Sequence, residues 1–235
     1  MDFSDALGVD LSADQPAETI IRSVTGAEAP VVTALVAVPD PALICEKLLR
    51  LQRYCSIGPR LEIAEVTAQG ITLAAGPHDE PPDLKCAAIL QGVLERAGFK
   101  FVSAQGRKIR WKNAPGIPTP PPCESAQLTD HLVQLIASDL SRAWRIEDAA
   151  LHLGLSTRSL QRYLHAEGGT FSITLRQART DRAAALLRTS SLSLAEVGFY
   201  CGYADQAHFQ REFHRQIGTT PRKYRIKQHA QRRVD

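Results

Sequence analysis

Hydrophobic positions follow two different patterns along the chain, and the change between them divides it in two. In residues 31–112, short apolar runs alternate with segments of helical spacing. After residue 127, almost every apolar position recurs at a spacing of three or four residues. The first pattern is typical of mixed α and β structure, whereas the second predicts helices alone. The sequence therefore predicts two regions of different fold class.

The first region is predicted to be an α+β domain with the order β-α-β-β-α-β-β, similar to a split βαβ sandwich. The run Val31–Val38 is short, rich in β-branched residues and bounded by prolines, which predicts a buried strand. The predicted helices are Pro41–Cys55 and Leu84–Ala97, and the other strands are Leu61–Val66, Ile71–Ala75, Phe99–Val102 and Lys108–Trp111. Residues 1–30 are predicted to be a leader with one helix, Ala17–Val24.

A proline-rich stretch separates the two regions. Residues 113–122 contain five prolines, which remove backbone donors and fix φ, so this stretch continues neither a helix nor a central strand. We predict a semi-stiff linker over residues 113–126. The domains on either side are then residues 31–112 and residues 127–229, with a short tail at 230–235.

The second region is predicted to be an all-α domain of seven helices. Their patterns cover Leu128–Leu140, Ile146–Leu153, Thr157–Glu167, Phe171–Arg188, Leu194–Cys201, Gln206–Gln216 and Pro221–Lys227. The connections between them are short, which favours a compact bundle of neighbouring helices over an extended array.

An internal repeat lies inside this helical region. Leu160, Gln161, Arg162 and Leu164 recur as Phe209, Gln210, Arg211 and Phe213 at a constant offset of 49 residues. In each copy a short helix ends at a glycine that can adopt a positive φ, Gly154 or Gly202. A capping residue, Ser156 or Asp205, then begins a second helix. This pattern predicts two helix-turn-helix units.

Charge changes at the same place as the hydrophobic pattern. Residues 1–124 carry 12 Lys and Arg against 15 Asp and Glu, which gives a net charge of −3. Residues 125–235 carry 16 against 10, a net charge of +6. A basic domain on an otherwise acidic chain is typical of a protein that binds a polyanion.

The second helix of each unit is predicted to read base edges in a major groove, because Arg and Gln form paired hydrogen bonds with guanine and adenine. The candidate base-reading residues are Arg158, Gln161, Arg162, Gln206, His208 and Arg211. The candidate phosphate contacts are Thr157, Arg176, Arg179 and Thr220. The helix between the copies would be about 27 Å long, enough to place both reading helices one turn of DNA apart. Solvated polar faces of ordinary helices are the alternative, which two matched copies in the basic half disfavour.

Two long motifs identify a resemblance to a known family. They are Ile146-x-x-Ala149-Ala150-x-x-x-Gly154-x-Ser156-x-x-x-Leu160-x-Arg162, and Val197-Gly198-Phe199-x-Cys201-Gly202-Tyr203-x-Asp205-Gln206-x-His208-Phe209-x-Arg211-x-Phe213 followed by Gly218-x-Thr220-Pro221-x-x-Tyr224-Arg225. With them, residues 128–228 resemble the DNA-binding domain of the AraC/XylS family of transcriptional regulators. The resemblance implies a cytoplasmic, nucleoid-associated transcription factor that binds double-stranded promoter DNA and uses no cofactor. It also implies RNA polymerase, a second copy of the chain, and a small-molecule or protein effector acting through residues 31–112 as further partners.

The other chemistry-bearing residues indicate no catalytic or metal site and no effector residue. Cys45, Cys55, Cys86, Cys123 and Cys201 are scattered without a CxxC pair, which favours reduced thiols over a zinc site. The run His78-Asp79-Glu80 is interpreted as a solvated turn. No apolar run is long enough for a membrane span, and the acidic start lacks the features of a signal peptide.

Two other functions compete with DNA-binding regulation. An enzyme that borrows the helical module, such as an alkyl-transfer repair protein, would need an activated cysteine with a base or a zinc cage. A pure interaction protein would use the same helix faces to contact another protein. Lys108, Arg110 and Lys112 alternate along one predicted strand, where they are either solvated or placed against DNA.

Overall fold

The computed structural model describes residues 1–12, 15–67, 69–74, 84–115 and 128–231. Its contacts divide the chain into an N-terminal unit, Met1–Ile117, and a C-terminal unit, Pro118–Asp235. Several predicted features lie outside the described residues: most of the linker, the end of the tail, Cys123 and the run His78-Asp79-Glu80.

The N-terminal unit combines helices with one antiparallel sheet. Its described helices are α1 (Phe3–Leu7), α2 (Ala17–Gly26), α3 (Pro30–Val36), α4 (Pro41–Leu51) and α5 (Leu84–Arg96). Its described strands are β1 (Ile63–Thr67), β2 (Gly70–Leu73), β3 (Ser103–Gln105) and β4 (Lys108–Arg110), arranged in the order β1-β2-β4-β3. Because β2 and β3 are each antiparallel to β4 between them, they are parallel to one another, and α5 connects them.

The predicted first strand is wrong, since residues 30–36 form helix α3. Pro30 begins this helix, where its missing N–H would have had no intrahelical partner. Val31, Val32 and Leu35 are all at most 1% exposed. A short apolar run that is buried on most sides has no clear period, so its β-branched composition favoured the wrong element. The order of the described elements is therefore α-α-α-α-β-β-α-β-β.

The fourth predicted strand is also displaced. Phe99–Val102 precedes β3, and within that segment only Lys100 pairs across, through an isolated bridge to Asn113. Phe99 is buried against Trp111, with ring centroids 5.0 Å apart. Its apolar character therefore reflects core packing rather than a place in the strand.

Residues 1–30 are part of the folded unit rather than a leader ahead of it. Helices α1 and α2 contribute the buried side chains Phe3, Leu7, Ile20 and Val24. Helix α2 packs closely along α5 at Gly92, where an added Cβ would lie 2.8 Å from the Cβ of Val24. No single described helix is long and apolar enough to cross a membrane, although α2 and α3, bent by 88°, pass that test as a pair.

The described part of the C-terminal unit is all-helical, as predicted. Its helices are α6 (Leu128–Ser138), α7 (Ile146–His152), α8 (Thr157–Ala166), α9 (Phe171–Thr189), α10 (Leu194–Tyr200), α11 (Gln206–Ile217) and α12 (Pro221–Gln231). The pairs α7–α8 and α10–α11 are the two predicted helix-turn-helix units. Each pair has its own hydrophobic cluster.

Helix α9 joins the two clusters. Phe171 at its beginning packs in the cluster of the first unit, whereas Ala183, Ala184 and Leu187 pack in the cluster of the second. Its 19 residues correspond to about 28 Å at 1.5 Å per residue. Both helix-turn-helix units are therefore built on one continuous helix.

Candidate nucleic-acid interface

The first helix-turn-helix unit is formed by α7, a four-residue turn and α8. Gly154 in the turn adopts φ 67°, and the N–H of Leu155 donates to the carbonyl of Ala150 at 2.9 Å. The Oγ of Ser156 then accepts from the N–H of Ser159 at 3.1 Å and caps α8. Leu160, 0% exposed, fixes one face of α8 against the cluster. The opposite face is left to solvent.

The second unit repeats this construction with α10 and α11. Gly202 adopts φ 77°, and the N–H of Tyr203 donates to the carbonyl of Gly198 at 3.1 Å. The Oδ1 of Asp205 accepts from the N–H of His208 at 2.7 Å and caps α11. Phe209 and Phe213 are both fully buried and pack edge to face, with centroids 5.7 Å apart.

The second turn contains one more residue than the first, Ala204. The backbone N–H of Ala204 donates to Nδ1 of His208 at 3.2 Å. The His208 ring also packs against Tyr203, with centroids 5.5 Å apart, and is half-buried. His208, which the sequence assigned to base reading, therefore stabilises the longer turn through Nδ1. In the neutral ring this leaves Nε2–H as its free donor.

Each second helix presents a stripe of exposed side chains. We define the α8 stripe as Arg158, Gln161, Arg162 and His165, and the α11 stripe as Ala207, Gln210, Arg211 and His214. All eight residues are exposed. The spacing of three, one and three residues places each stripe on an arc of about 100°. The two stripes coincide position by position at the offset of 49 residues.

Four stripe residues are absent from the candidates that the sequence suggested: Ala207 and the three polar residues His165, Gln210 and His214. The signal that identifies them is the repeat itself. Applying the offset of 49 to Gln161 gives Gln210, and His165 likewise gives His214. The sequence-based choice of Gln206 and His208 followed the first turn of α11 instead. Gln206 is exposed and lies one position before the stripe.

The stripes carry positive charge without a carboxylate. Helix α8 contains no Asp or Glu, and the single acidic residue of α11 is Glu212. Glu212 is half-buried and pairs with Arg215 and, at 3.6 Å, with Nε of Arg176 on α9. The acidic side chain thus lies against α9. Arg176, a predicted phosphate contact, forms an ion pair inside the domain, and its phosphate contact stays a prediction.

Arg179, another predicted phosphate contact, also has a structural role. It is half-buried on α9, and its Nη2 donates to the carbonyl of Arg142 at 3.0 Å. The same guanidinium lies beside the second turn, within about 3 Å of where a Cβ on Gly202 would be. Arg179 therefore connects α9, the α6–α7 connection and the second turn.

The two remaining phosphate candidates lie at helix beginnings. Thr220 is exposed, and its Oγ1 accepts from the N–H of Lys223 at 3.3 Å at the start of α12. Thr157, half-buried, is the first residue of α8. Both positions are close to free N–H groups of a first helical turn, which suit an anion. Their phosphate contacts stay predictions.

The described thiols are buried or half-buried. Burial raises the pKa of Cys45 to about 12, of Cys55 to about 11 and of Cys201 to about 12. Cys86 is buried, and its Sγ donates to the carbonyl of Arg60 at 3.3 Å. Within the described ranges, no three His, Cys, Asp or Glu side chains gather as a metal site would require.

Comparison with known proteins agrees with the repeat geometry. A family profile described as "Helix-turn-helix domain" matches residues 149–227. The transcriptional activator NphR of Rhodococcus sp is 39% identical over 85 residues, which are 36% of this chain and 25% of NphR. The HTH-type transcriptional activator RhaR of Enterobacter sp. (strain 638) is 32% identical over 103 residues, which are 43% of this chain and 36% of RhaR.

A solved structure resembles the same region. It is a transcriptional regulator of the AraC-type DNA-binding domain-containing proteins from Chromobacterium violaceum, 27% identical, with a TM-score of 0.42. The match covers 44% of this chain and 94% of that structure. The chain spans only 25% of the length of NphR and 36% of that of RhaR. Residues 149–227 thus match a helix-turn-helix domain profile, in agreement with the resemblance that the motifs indicated.

Proposed function

We propose that this protein is a transcriptional regulator that binds double-stranded DNA sequence-specifically, with α8 and α11 in successive major grooves. The observation that supports this most directly is the matched pair of exposed stripes, each anchored by buried residues of its own helix. The α8 stripe has two arginines and a glutamine, and the α11 stripe has one of each.

The chemistry of the stripes suits base recognition. Arg forms bidentate hydrogen bonds with guanine, and Gln does so with adenine. A helix whose other face is fixed in a core holds such groups in one orientation, which specific recognition requires. Arg162 and Arg211 occupy the same position of the two stripes, so we propose them as the principal base-reading residues.

The names of the relatives support the same class of function. NphR and RhaR are both transcriptional activators by name. By analogy we propose a promoter as the bound site. A location in the cytoplasm, at the nucleoid, follows from that proposal.

An enzymatic role for the described cysteines is disfavoured by their electrostatics. A nucleophilic cysteine reacts as the thiolate, which requires a lowered pKa. Burial raises the pKa of Cys45, Cys55 and Cys201 instead, so each remains a thiol at neutral pH. We therefore propose a DNA-binding regulator rather than an alkyl-transfer enzyme.

The N-terminal unit is proposed to be the effector or dimerisation domain, with residues 113–126 as the linker to a DNA-binding domain at 127–229. A hollow of about 320 Å³ between α4 and β1, lined in part by Arg53, Cys55 and Arg60, is one place for a small effector. A second copy of the chain and RNA polymerase stay proposed partners.

A binding experiment with the full chain tests the proposed function. A preferred duplex is first selected from a random-sequence pool with the wild-type protein. Dissociation constants for this duplex and for a scrambled duplex of equal length are then measured for Arg162→Ala and Arg211→Ala. We expect each variant to lose about 1–3 kcal/mol on the selected duplex and much less on the scrambled one.

Arg22→Ala is the matched control, because it removes the same charge from an exposed position of the N-terminal unit. It should retain the wild-type preference. Wild-type protein that binds both duplexes equally, or stripe variants that keep the full preference, would contradict the proposed function.

A further inference from the structure

The last twenty described residues of the N-terminal unit are strongly basic, although the unit as a whole is acidic. Residues 96–115 contain six Lys and Arg and no Asp or Glu, whereas residues 1–95 contain six basic and 14 acidic residues. Most of this positive charge lies on the β3–β4 hairpin and its flanks. We propose that the hairpin is a second DNA-contacting surface, which binds phosphates of the duplex that α8 and α11 read. The inference rests on the proposed function.

The register of the sheet gathers the charge on one face. Lys108 and Arg110 are exposed on either side of Ile109, which is fully buried. Lys108 lies opposite Thr72 on β2 and Gln105 on β3, and Arg110 lies opposite Gly70 and Ser103. Residues directly opposite in a sheet point to the same side. The solvent face therefore combines two cations with hydroxyl and amide groups, all of which bind phosphate oxygens.

The face is open and carries little opposing charge. A hollow of about 560 Å³ lies over it, lined in part by Lys108, Arg110 and Thr72. The acidic residue in its lining is Glu65. Glu65 pairs with Thr72 on β2, and Thr72 pairs with Lys108 on β4, so the backbones of Glu65 and Lys108 are two strand spacings, about 10 Å, apart. Within the described part of the chain, neither Lys108 nor Arg110 forms an ion pair. Unneutralised cations on a concave surface concentrate polyanions there.

An aromatic side chain lies at the edge of the same surface. Phe101, just before β3, is 70% exposed, and Nζ of Lys112 lies 5.8 Å from its ring centroid. Phe101 also has a positive φ of 57°, which is rare for an aromatic residue. An exposed ring beside cations offers an apolar contact to sugars or base faces, as in other nucleic-acid-binding surfaces.

Chain connectivity favours DNA as the polyanion. Only twelve residues, 116–127, separate the end of the described N-terminal unit from α6. When α8 and α11 are on a duplex, the tether keeps the hairpin at high effective concentration near the same molecule. Phosphate contacts made there would raise affinity for every sequence alike, since phosphates carry no sequence information.

The salt dependence of binding tests this inference. The double variant Lys108→Gln/Arg110→Gln is compared with Arg22→Gln/Arg96→Gln, which removes two exposed cations on helices of the same unit, outside the hairpin. Each full-length protein is titrated with the selected duplex and with a scrambled 40-bp duplex at several KCl concentrations. Each lost phosphate contact lowers the slope of log Kd against log salt by about 0.9. We expect the hairpin variant to lose close to two units of slope and about tenfold or more in affinity at 0.1 M salt for both duplexes.

The outcomes separate the hairpin from the reading helices. The inference is overturned if the hairpin variant keeps the wild-type salt slope, or if it loses no more affinity than the control variant. The Arg162→Ala measurement still decides the proposed function in that case. Loss on the selected duplex alone also overturns the inference, because phosphate contacts act on both duplexes. Wild-type protein that binds neither duplex overturns both. Lys112→Gln, expected to lose about one unit of slope, provides an independent test if the double variant folds poorly.

Discussion

The two helix-turn-helix units share one plan, but they differ in what surrounds the turn glycine. Gly154 adopts φ 67°, and a Cβ there would meet nothing within 4 Å. Gly202 adopts φ 77°, and a Cβ there would lie 2.0 Å from the carbonyl oxygen of Leu140. The first turn therefore requires glycine for its backbone conformation alone, whereas the second also requires the missing side chain for space.

This difference shows where the second unit is attached to the rest of the C-terminal unit. The Leu140 carbonyl and the Arg179 guanidinium both lie at Gly202. Beside them, the Tyr203 hydroxyl and Thr180 Oγ1 share a hydrogen bond of 3.2 Å inside the core, where burial raises the pKa of Tyr203 to about 12. The turn of the second unit is thus a junction with α9 and the α6–α7 connection, whereas the glycine of the first turn has no neighbour within reach of a Cβ. Equal repeats in sequence do not imply equal energetic roles.

Replacement of the two glycines is the strongest test of this comparison. Gly202→Ala should destabilise the C-terminal unit by about 4 kcal/mol or more, because a positive φ and a backbone clash act together. Gly154→Ala should cost only about 1 kcal/mol, from the backbone conformation. Urea denaturation, with hydrogen exchange on α10 and α11, measures both effects. Similar small losses at the two positions would show that the junction at Gly202 does not exist.

Removal of Arg179 is the next test, with a smaller expected effect. Arg179→Ala should destabilise the C-terminal unit by about 2 kcal/mol, since a charged donor to the Arg142 carbonyl is lost. Arg182→Ala on the same helix is the control, because Arg182 is exposed and should cost no more than about 0.5 kcal/mol. Unchanged stability combined with a lower salt slope for DNA binding would support the phosphate contact that the sequence suggested.

How much the sequence revealed differs between the two units for a physical reason. In the C-terminal unit each helix has one buried face, so the 3.6-residue period predicted the helices. The repeat then suggested six base-reading positions, and five of the six are exposed. His208 is the sixth position: it is half-buried, and its Nδ1 accepts from the N–H of Ala204, the inserted residue of the second turn. A contact of this kind depends on the shape of the turn, which spacing does not encode.

The N-terminal unit was predicted less well because its segments are buried on several sides. Val31–Val38 is almost entirely apolar, so it shows no helical period. Residues 1–30 contribute to the core in part through α1, which is too short to show a hydrophobic period in the sequence. Arg176 and Arg179 illustrate a related limit in the other unit. Charge alone predicted phosphate contacts, which stay predictions, and did not reveal that Arg176 pairs with Glu212 or that Arg179 donates to a backbone carbonyl.

The helix caps give the finest test of the comparison between the two units. Asp205 accepts at 2.7 Å as a carboxylate, whereas Ser156 accepts at 3.1 Å as a neutral hydroxyl. A charged cap also interacts favourably with the helix dipole, so Asp205→Ala should cost about 1–2 kcal/mol and Ser156→Ala about 0.5–1 kcal/mol. Asp205→Asn keeps the acceptor but not the charge, and should recover most of the loss in urea denaturation. If Ser156→Ala costs more than Asp205→Ala, the tighter construction of the second turn is not reflected in stability, and the contrast between the units is confined to the surroundings of Gly202.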